Sequence, residues 1–461
     1  MTVLEKLIEF EEKHDVLKFR FQYKNLLLWP YIRSPLFTYI IDYEDHNVVT
    51  RPCKQSDNAI QKYIKHNTFQ VSPCEVIFVT DSIDLVEQDS KWSDRVAGAY
   101  IEMVKERAGD IVCDHGGFSY PDIGRPYVTD NYINSLIEYD AKCSKASEKE
   151  LVVIREFVAF LKNNLPFQLE SGAFGFVYDY LENVIRQIPY CYKYYGRLIK
   201  KAKPKVVFWN CASYSEPAIK VLNDLGVITA EFQHGYIGSN HQAYNFSKKI
   251  KECSEYALYL PKFFLSYGPF WTQGMRMVPE VIPIGNPIVS EKVEMFKHVT
   301  DENDNKNILL IESNYTQKYI ECLKEILSET SNDYKIYIKL HPSTLSNRRY
   351  YSELAENDRV TIVETGTVYE WFEKCKYIIG DTSTALYEAA AVGKTVYVID
   401  SEASRKYIKE GCGIRIKNGY EVCHNIKNAK KEDLKQSTDF FVTDWEVNFQ
   451  HFLENNCNIK L

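Results

Sequence analysis

Val206-Val207-Phe208-Trp209, then Glu216 to Leu225, then Val227-Ile228-Thr229-Ala230-Glu231-Phe232: this stretch decides the fold class. Two β-branched and aromatic runs flank a segment of helical spacing, all within about thirty residues, which is the length of a parallel strand–helix–strand crossover. The alternation returns downstream. Ile308 to Ile311 reads as a strand, Tyr315 to Leu327 as a helix and Tyr334 to Leu340 as a strand. Val360 to Val363, Tyr377 to Ile379 and Thr395 to Ile399 are further strands, with helices over Val368 to Lys374 and Ser383 to Val392. Upstream, Glu75 to Thr80 and Asp110 to Asp114 are strand candidates, while 91–108 and roughly 130–200 have helical spacing. The class expected is α/β, with two Rossmann-like, doubly wound domains facing across a cleft and helical additions at the N-terminus.

A chain of 461 residues is too long for one ordinary core. The expected division is 1–270 as a first domain with helical additions and 271–300 as a Gly- and Pro-bearing linker. A second domain follows over 301–440, with a final helix at 441–461 packing back on the first. A formal net charge of -7 argues against a nucleic-acid partner held by a basic surface. The one basic run, Arg197 to Lys205, reads as a solvated helix end or as a contact with an anionic membrane. Leu26 to Ile32, interrupted by Pro30, reads as core or as a membrane-facing element. The cysteines form no metal-spaced cluster, no secretion signal opens the chain, and no apolar window reaches ~18 residues. The expectation is a cytoplasmic protein, with peripheral association at the inner face of the membrane left open.

Three strand ends carry candidate chemistry, because ligands of open α/β sheets bind beyond the carboxyl ends of the strands. Gln233-His234-Gly235 closes the Val227–Phe232 run. An imidazole with an ordinary pKa near ~6.5 suits His234 to take a proton from an attacking hydroxyl. Gly235 permits a turn with φ > 0 or a close backbone approach. His241 and Tyr244 follow in a polar loop suited to line an acceptor site, and Asp81 ends the Glu75–Thr80 strand. His341-Pro342 ends the Tyr334–Leu340 run, where proline stops the strand and holds the histidine at its rim. Thr382, Ser383 and Thr384 open a helix, and hydroxyls with free helix N–H groups favour a phosphate. Glu388, one turn further, is suited to accept hydrogen bonds from a ribose. No phosphate loop, dinucleotide fingerprint or nucleophile elbow is found. No D-x-D pair ends a strand, so no metal and no other cofactor is expected.

Together these residues resemble GT-B glycosyltransferases that build bacterial surface polysaccharides. The nearest likeness is the group of CDP-glycerol glycerophosphotransferases, bacterial polysialyltransferases and capsule Kdo transferases. Gln233-His234-Gly235 looks like the counterpart of the Trp-His-Gly segment that supplies a base in the glycerophosphotransferases. His341-Pro342 and Ser383-Thr384 are similar in kind and order to the motifs with which polysialyltransferases hold the phosphate of a CMP-sugar. Gly285-Asn286-Pro287 resembles the linker of other GT-B enzymes, including UDP-GlcNAc 2-epimerases, and the resemblance implies a donor-side role for Gly285. The likeness covers about residues 205–400. One departure is the lack of an acidic pair followed by glycine, the base motif of polysialyltransferases, which shifts weight to His234 and then to Asp81, Asp94 or His115.

The resemblance implies a metal-independent, inverting transfer from a CMP-, UDP-, GDP- or CDP-activated sugar to a polysaccharide or lipid-linked glycan. The alternatives are a nucleotide-sugar epimerase or hydrolase on the same fold, or a non-catalytic nucleotide-sugar-binding protein of an export complex.

Overall fold

The computed structural model describes residues 1–44, 66–88, 91–114, 121–297, 306–313, 316–428 and 440–461. His115 lies outside them, and the side chains of Pro342 and Ser343 lie outside the described ones. Two compact units are present. One comprises Met1–Ser266, Thr272–Ile282 and Glu446–Leu461; the other comprises Tyr267–Trp271 and Pro283–Trp445.

The first unit is built on β1 (Val76–Asp81), β4 (Ala108–Cys113), β5 (Val128–Thr129), β6 (Val206–Trp209), β7 (Ile228–Phe232), β8 (Phe263–Ser266) and β9 (Glu280–Pro283). Their order is β5-β4-β1-β6-β7-β8-β9. β1 pairs in parallel with β4 and with β6, so the chain winds outward in both directions from β1. Alternate residues face alternate sides, and both sides are covered, which is why these strands read as continuous apolar runs. On one face Phe78, Phe208 and Phe232 stack, with centroids 5.1 and 5.2 Å from Phe208, and Phe449 of the Trp445–Cys457 helix closes over them. On the other face Ile77, Val207 and Trp209 pack with Cys191 and Leu198 of the long Ser171–Ala202 helix.

Residues 91–108, expected to be helical, instead begin with an antiparallel hairpin of β2 (Leu85–Gln88) and β3 (Lys91–Asp94). Asp94 ends it by accepting the Val96 and Ala97 N–H groups at 2.8 and 2.6 Å, so the helix is only Gly98–Met103. A side chain that bonds nearby backbone competes with helix at its own position.

The N-terminal helices Val3–Lys13 and Trp29–Glu44 form a separate apolar layer with Glu148–Asn164 and Ser171–Ala202. The Leu26–Ile32 stretch is buried in that layer and faces no membrane. Among the described residues no helix is long and apolar enough to cross one. One buried ion pair pins the layer. Arg33 and Glu11 meet at 2.6 Å with side chains 3% and 0% exposed. Arg33 also donates to the Gln242 and Asn245 carbonyls at 2.7 and 2.6 Å, and Glu11 accepts the Trp29 indole N–H at 2.8 Å.

The second unit holds β10 (Ile308–Ile311), β11 (Ile336–Lys339), β12 (Val360–Val363), β13 (Tyr377–Gly380), β14 (Thr395–Ile399) and β15 (Ile414–Ile416), in the order β12-β11-β10-β13-β14-β15. All five pairings are parallel. Ligands of sheets wound in this way bind beyond the strand ends at the reversal, which here falls between β10 and β13. The expected α/β class, two Rossmann-like sheets with N-terminal helical additions, is therefore found. The stretch 271–300 carries β9 and the Pro287–Lys297 helix. Gly285 sits there at φ +96, and a Cβ would meet the Val442 carbonyl at 2.6 Å, so a close backbone approach accounts for this glycine.

Replacing Arg33 by methionine leaves Glu11 buried and alone. Removing one member of a buried pair costs ~3–5 kcal/mol. Urea unfolding should show a loss of that size, with a smaller loss when Glu11→Leu is added; a single-variant loss below ~1 kcal/mol would show that the pair anchors nothing.

Candidate functional site

In the first unit, the carboxyl ends of β1, β4, β6 and β7 open on one cavity of about 640 Å³. Asp81, Asp114, Trp209, Cys211, Tyr214 and His234 are among its lining. His234 follows β7 by two residues and is half-buried, with an Nδ1 that is shielded from solvent and has no hydrogen-bond partner. Beneath it lies Glu231, 3% exposed, whose Oε1 accepts the Ala212 N–H at 3.0 Å and the Tyr244 hydroxyl at 2.7 Å. Burial pushes the Glu231 carboxyl up, and the neighbouring His234 opposes that rise. Cys211, Glu231 and His234 each bring one ligand-capable atom within 4.8 Å of the others. Burial, and then the nearby Glu231, push the Cys211 thiol up to about 11.

Of the other residues singled out in this half, Asp81 shares the cavity and accepts the Ile83 N–H at 3.0 Å. Tyr244 does not line it. The ring is 4% exposed and packs 5.2 Å from Phe264, since its hydroxyl is drawn inward by Glu231. His241 lies beside Tyr244, its pKa pushed down to about 4 by burial and then by His234. Gln233 is buried and donates to the Gly235 carbonyl at 2.9 Å. Gly235 has neither a positive φ nor a close neighbour, so the expected backbone reason for glycine is absent and the space beside it is open. Asp94, buried 3% exposed, caps the Val96–Ala97 turn and accepts Asn210 Nδ2 at 2.8 Å, a structural position.

In the second unit the ends of β10, β11 and β13 are stitched by side chains. Glu312, just past β10 and 1% exposed, accepts the Thr344 hydroxyl at 2.7 Å and the Asn347 amide at 2.8 Å, fixing the turn after His341. Thr344 N–H closes that turn on the His341 carbonyl at 2.8 Å, and the His341 side chain is exposed. Ser313 hydrogen-bonds Asp381, and Thr382 donates to Ser313 at 3.1 Å. Asp381 is 1% exposed, takes Tyr319 as a further donor, and has a buried Oδ2 with no partner. Ser383 accepts the Ala385 N–H at 3.3 Å at the start of the Ala385–Ala391 helix, and Thr384 is its half-buried N-cap. Glu388 is half-buried and pushes the pKa of Tyr369 up, after the larger effect of burial. His341, Thr382, Ser383 and Thr384 thus flank the reversal point of the sheet. Sequence reading passed over Glu231, Glu312, Ser313 and Asp381 as ligand-side residues. For Glu312 and Asp381 the visible signal is a buried polar residue directly after a strand; Glu231, inside β7, and Ser313 carry no such mark.

The family model described as Alpha-2,8-polysialyltransferase (POLYST) matches residues 140–398. No curated protein matches the sequence. Among solved structures, the chain is similar to UDP-GlcNAc 2-epimerase from Neisseria meningitidis bound to UDP-GlcNAc, at 10% identity and TM-score 0.48, over 83% of this chain and 100% of that one. It is similar to UDP-GlcNAc 2-epimerase from Methanocaldococcus jannaschii, at 12% identity and TM-score 0.47, over 83% and 99%. It is also similar to the wall teichoic acid polymerase TagF, at 10% identity and TM-score 0.43, over 86% and 91%.

Beside Glu231, the buried Glu216 carboxyl is pushed up to about 8 by burial. The folded chain keeps this proton above the ordinary value of 4.5, where the unfolded chain has released it. Folding therefore takes up a proton between those two values, and stability falls as pH rises through them. The decline with pH should be shallower in Glu216→Gln than in the parent when both are melted across that window. An equal slope would place the native proton elsewhere.

Proposed function

The chain belongs to the alpha-2,8-polysialyltransferase family, and from that premise we propose a metal-independent, inverting transfer in which His234 is the base. The protein is a nucleotide-sugar glycosyltransferase; its acceptor, on this reading, is a surface polysaccharide or lipid-linked glycan. The observation that carries the proposal is His234 itself. It stands at a strand end on the 640 Å³ cavity, with a buried, unpartnered ring nitrogen and a buried carboxylate behind it.

The acceptor hydroxyl attacks the anomeric carbon and gives its proton to His234, while the bonding pair of the departing oxygen leaves with the nucleotide phosphate. The imidazolium so formed and the Glu231 carboxylate stabilise one another, because each removes part of the cost of burying the other's charge. Glu231 positions and tunes; His234 takes the proton. Inversion follows from a single displacement. The Cys211–Glu231–His234 trio is read as this relay, with Glu231 held in place by the two hydrogen bonds its Oε1 accepts.

The donor belongs, on this reading, to the second unit. His341 and the hydroxyls of Thr382, Ser383 and Thr384 meet the phosphate, more strongly as charge develops on it. The unpartnered Asp381 Oδ2 waits for a donor group of the nucleotide. Association with the inner face of the membrane would serve a lipid-linked acceptor without a spanning helix.

General-base catalysis commonly supplies ~10²–10⁴-fold. His234→Ala should therefore lower turnover by about that factor in excess EDTA, with donor affinity little changed. Near-normal turnover of the folded variant, or parent activity that EDTA abolishes and a metal restores, would return the trio to other chemistry.

His341→Ala combined with Ser383→Ala should weaken nucleotide binding. Calorimetric titration with CMP-, UDP-, GDP- and CDP-sugars reads this directly, and undiminished affinity of the double variant would remove the donor from these strand ends.

A further inference from the structure

We infer that Cys211, Glu231 and His234 form a site for a zinc-class divalent cation, and that a cation bound there switches the base off. The site stands on its geometry alone. Its effect on turnover rests on the proposal that His234 is the base.

Cys211 is distant in sequence from the other two residues and is brought to them by the sheet. β6 and β7 are parallel neighbours, with Trp209 opposite Glu231. Cys211 stands two residues past the end of β6, and His234 two past the end of β7. Each of the three offers one ligand atom, and these atoms lie within 4.8 Å of one another. With Zn–S near ~2.3 Å and Zn–N or Zn–O near ~2.0–2.2 Å, tetrahedral ligands sit about 3.3–3.6 Å apart. A small contraction of the side chains therefore closes the site. One thiolate, one imidazole and one carboxylate suit zinc or cobalt, whereas magnesium and calcium take oxygen ligands.

The surroundings hold the ligands ready. Both hydrogen bonds that Glu231 accepts, from the Ala212 N–H and the Tyr244 hydroxyl, go to Oε1, which leaves Oε2 for a cation. Outer-shell donors of this kind fix the direction of a ligand. The shielded Nδ1 of His234 has no hydrogen-bond partner. A ring nitrogen in that state is an unsatisfied polar group, and coordination satisfies it. Burial and Glu231 oppose the Cys211 thiolate, while hydrogen bonds from the Ser213 backbone and hydroxyl favour it. A cation decides that balance, since a coordinating thiol gives up its proton. Cys211 and His234 line the 640 Å³ cavity, so a water or an acceptor hydroxyl can take the fourth tetrahedral position.

Binding releases the thiol proton to solvent, together with any proton on Glu231. The cation takes a lone pair of the His234 ring, and the other ring nitrogen then holds the ring's proton. Neither nitrogen can accept a proton from a hydroxyl. Zinc at the trio and proton transfer at His234 exclude one another, so a turnover that needs no metal is inhibited by zinc at the same atoms.

The test reads binding directly. The full chain, stripped with a chelator and freed of it, is titrated with cobalt(II) as a spectroscopic substitute for zinc. One equivalent should bring up a thiolate-to-cobalt charge-transfer band in the near ultraviolet, which zinc should bleach and magnesium should leave unchanged. Loss of an outer-shell partner costs ~10–100-fold in metal affinity, so Cys211→Ser and His234→Gln, which remove ligands, should each weaken zinc binding at least as much. Cys211→Ser should also abolish the band. Either variant that melts like the parent is enough for the assignment. A parent without the band, or a folded variant that keeps the parent's band and zinc affinity, would overturn the site. Turnover separates the two readings: zinc should stop it and chelator restore it. Zinc uptake with undiminished turnover would defeat the base assignment and the switch while leaving the site; no uptake, with turnover that survives EDTA, would defeat the site and leave the base.

Discussion

The Glu11–Arg33 pair is the constraint on which the placing of the loop after β7 depends. Two charges are withdrawn almost wholly from water, at a desolvation cost that a single Coulombic contact seldom recovers. What recovers it here is the number of hydrogen bonds drawn to the pair. Glu11 is met by the Trp29 indole, the guanidinium and the Ser247 N–H, and Arg33 reaches two backbone carbonyls of the loop that begins at His234. An apolar pair of equal volume would fill the space and leave those carbonyls without a donor. The ion pair is thus a device for register: it ties the N-terminal helices to the loop whose first residue is the candidate base. This gives the two N-terminal helices a structural role that no motif in them announces.

Both sheets share one winding pattern, and that pattern decides where side chains can do chemistry. Each starts at an inner strand, β1 or β10, steps one way twice, and then returns to the other side. At the reversal the loops after adjacent strands diverge and leave an opening. Asp81 and Cys211 border it in the first unit, Ser313 and Asp381 in the second. The second unit closes its loops on one another through Glu312 and Asp381, whereas the first keeps a cavity and supports it from below through Glu231. Loops stitched to one another by side chains and an open cavity braced from below are different constructions, and the same topology serves both.

Much of the fold was legible because parallel strands buried on both faces must be continuous apolar runs; β1, β4, β6, β7, β10, β11, β13 and β14 all announced themselves in this way. One strand with such a run escaped, β8 over Phe263–Ser266, because it lies at the edge of a Gly- and Pro-bearing stretch; the other pieces that escaped have none. β5 has two residues and β15 three, and the β2–β3 hairpin is read correctly only once Asp94 is seen to bond its neighbours' N–H groups. The strand-end histidines and hydroxyls were legible for the reason that put them there, since a polar residue that ends a buried strand is conspicuous. Tyr244 misled because it sits among Asn and His in sequence, and only the tertiary contact with Glu231 turns it inward. Gly235 misled in the opposite sense, since the conformational reason for glycine that its position invites is absent. Glu231 was written in plain view, yet a carboxylate inside a strand has no periodicity to mark it, and its partners come from β6's loop and from residue 244.

The contrast between a shared machinery and a private acceptor surface follows from where each is built. A displacement at an anomeric carbon asks the same of every acceptor hydroxyl: a base at its proton and a field that favours the leaving phosphate. The candidates for those groups sit at the innermost strand ends, where Glu231 and Glu312 brace the neighbouring loops, and a change there is felt through buried hydrogen bonds. The acids and the aromatic ring that line the outer part of the same cavity lie further out, on β4's loop, on the Asn131–Lys142 helix and at Tyr214, half-buried or exposed. Substitution at such positions disturbs little of the core. Function on a common fold is carried by sites grafted on it, and on the proposed reading the outer lining of the cavity is separable, residue by residue, from the strand end that bears His234.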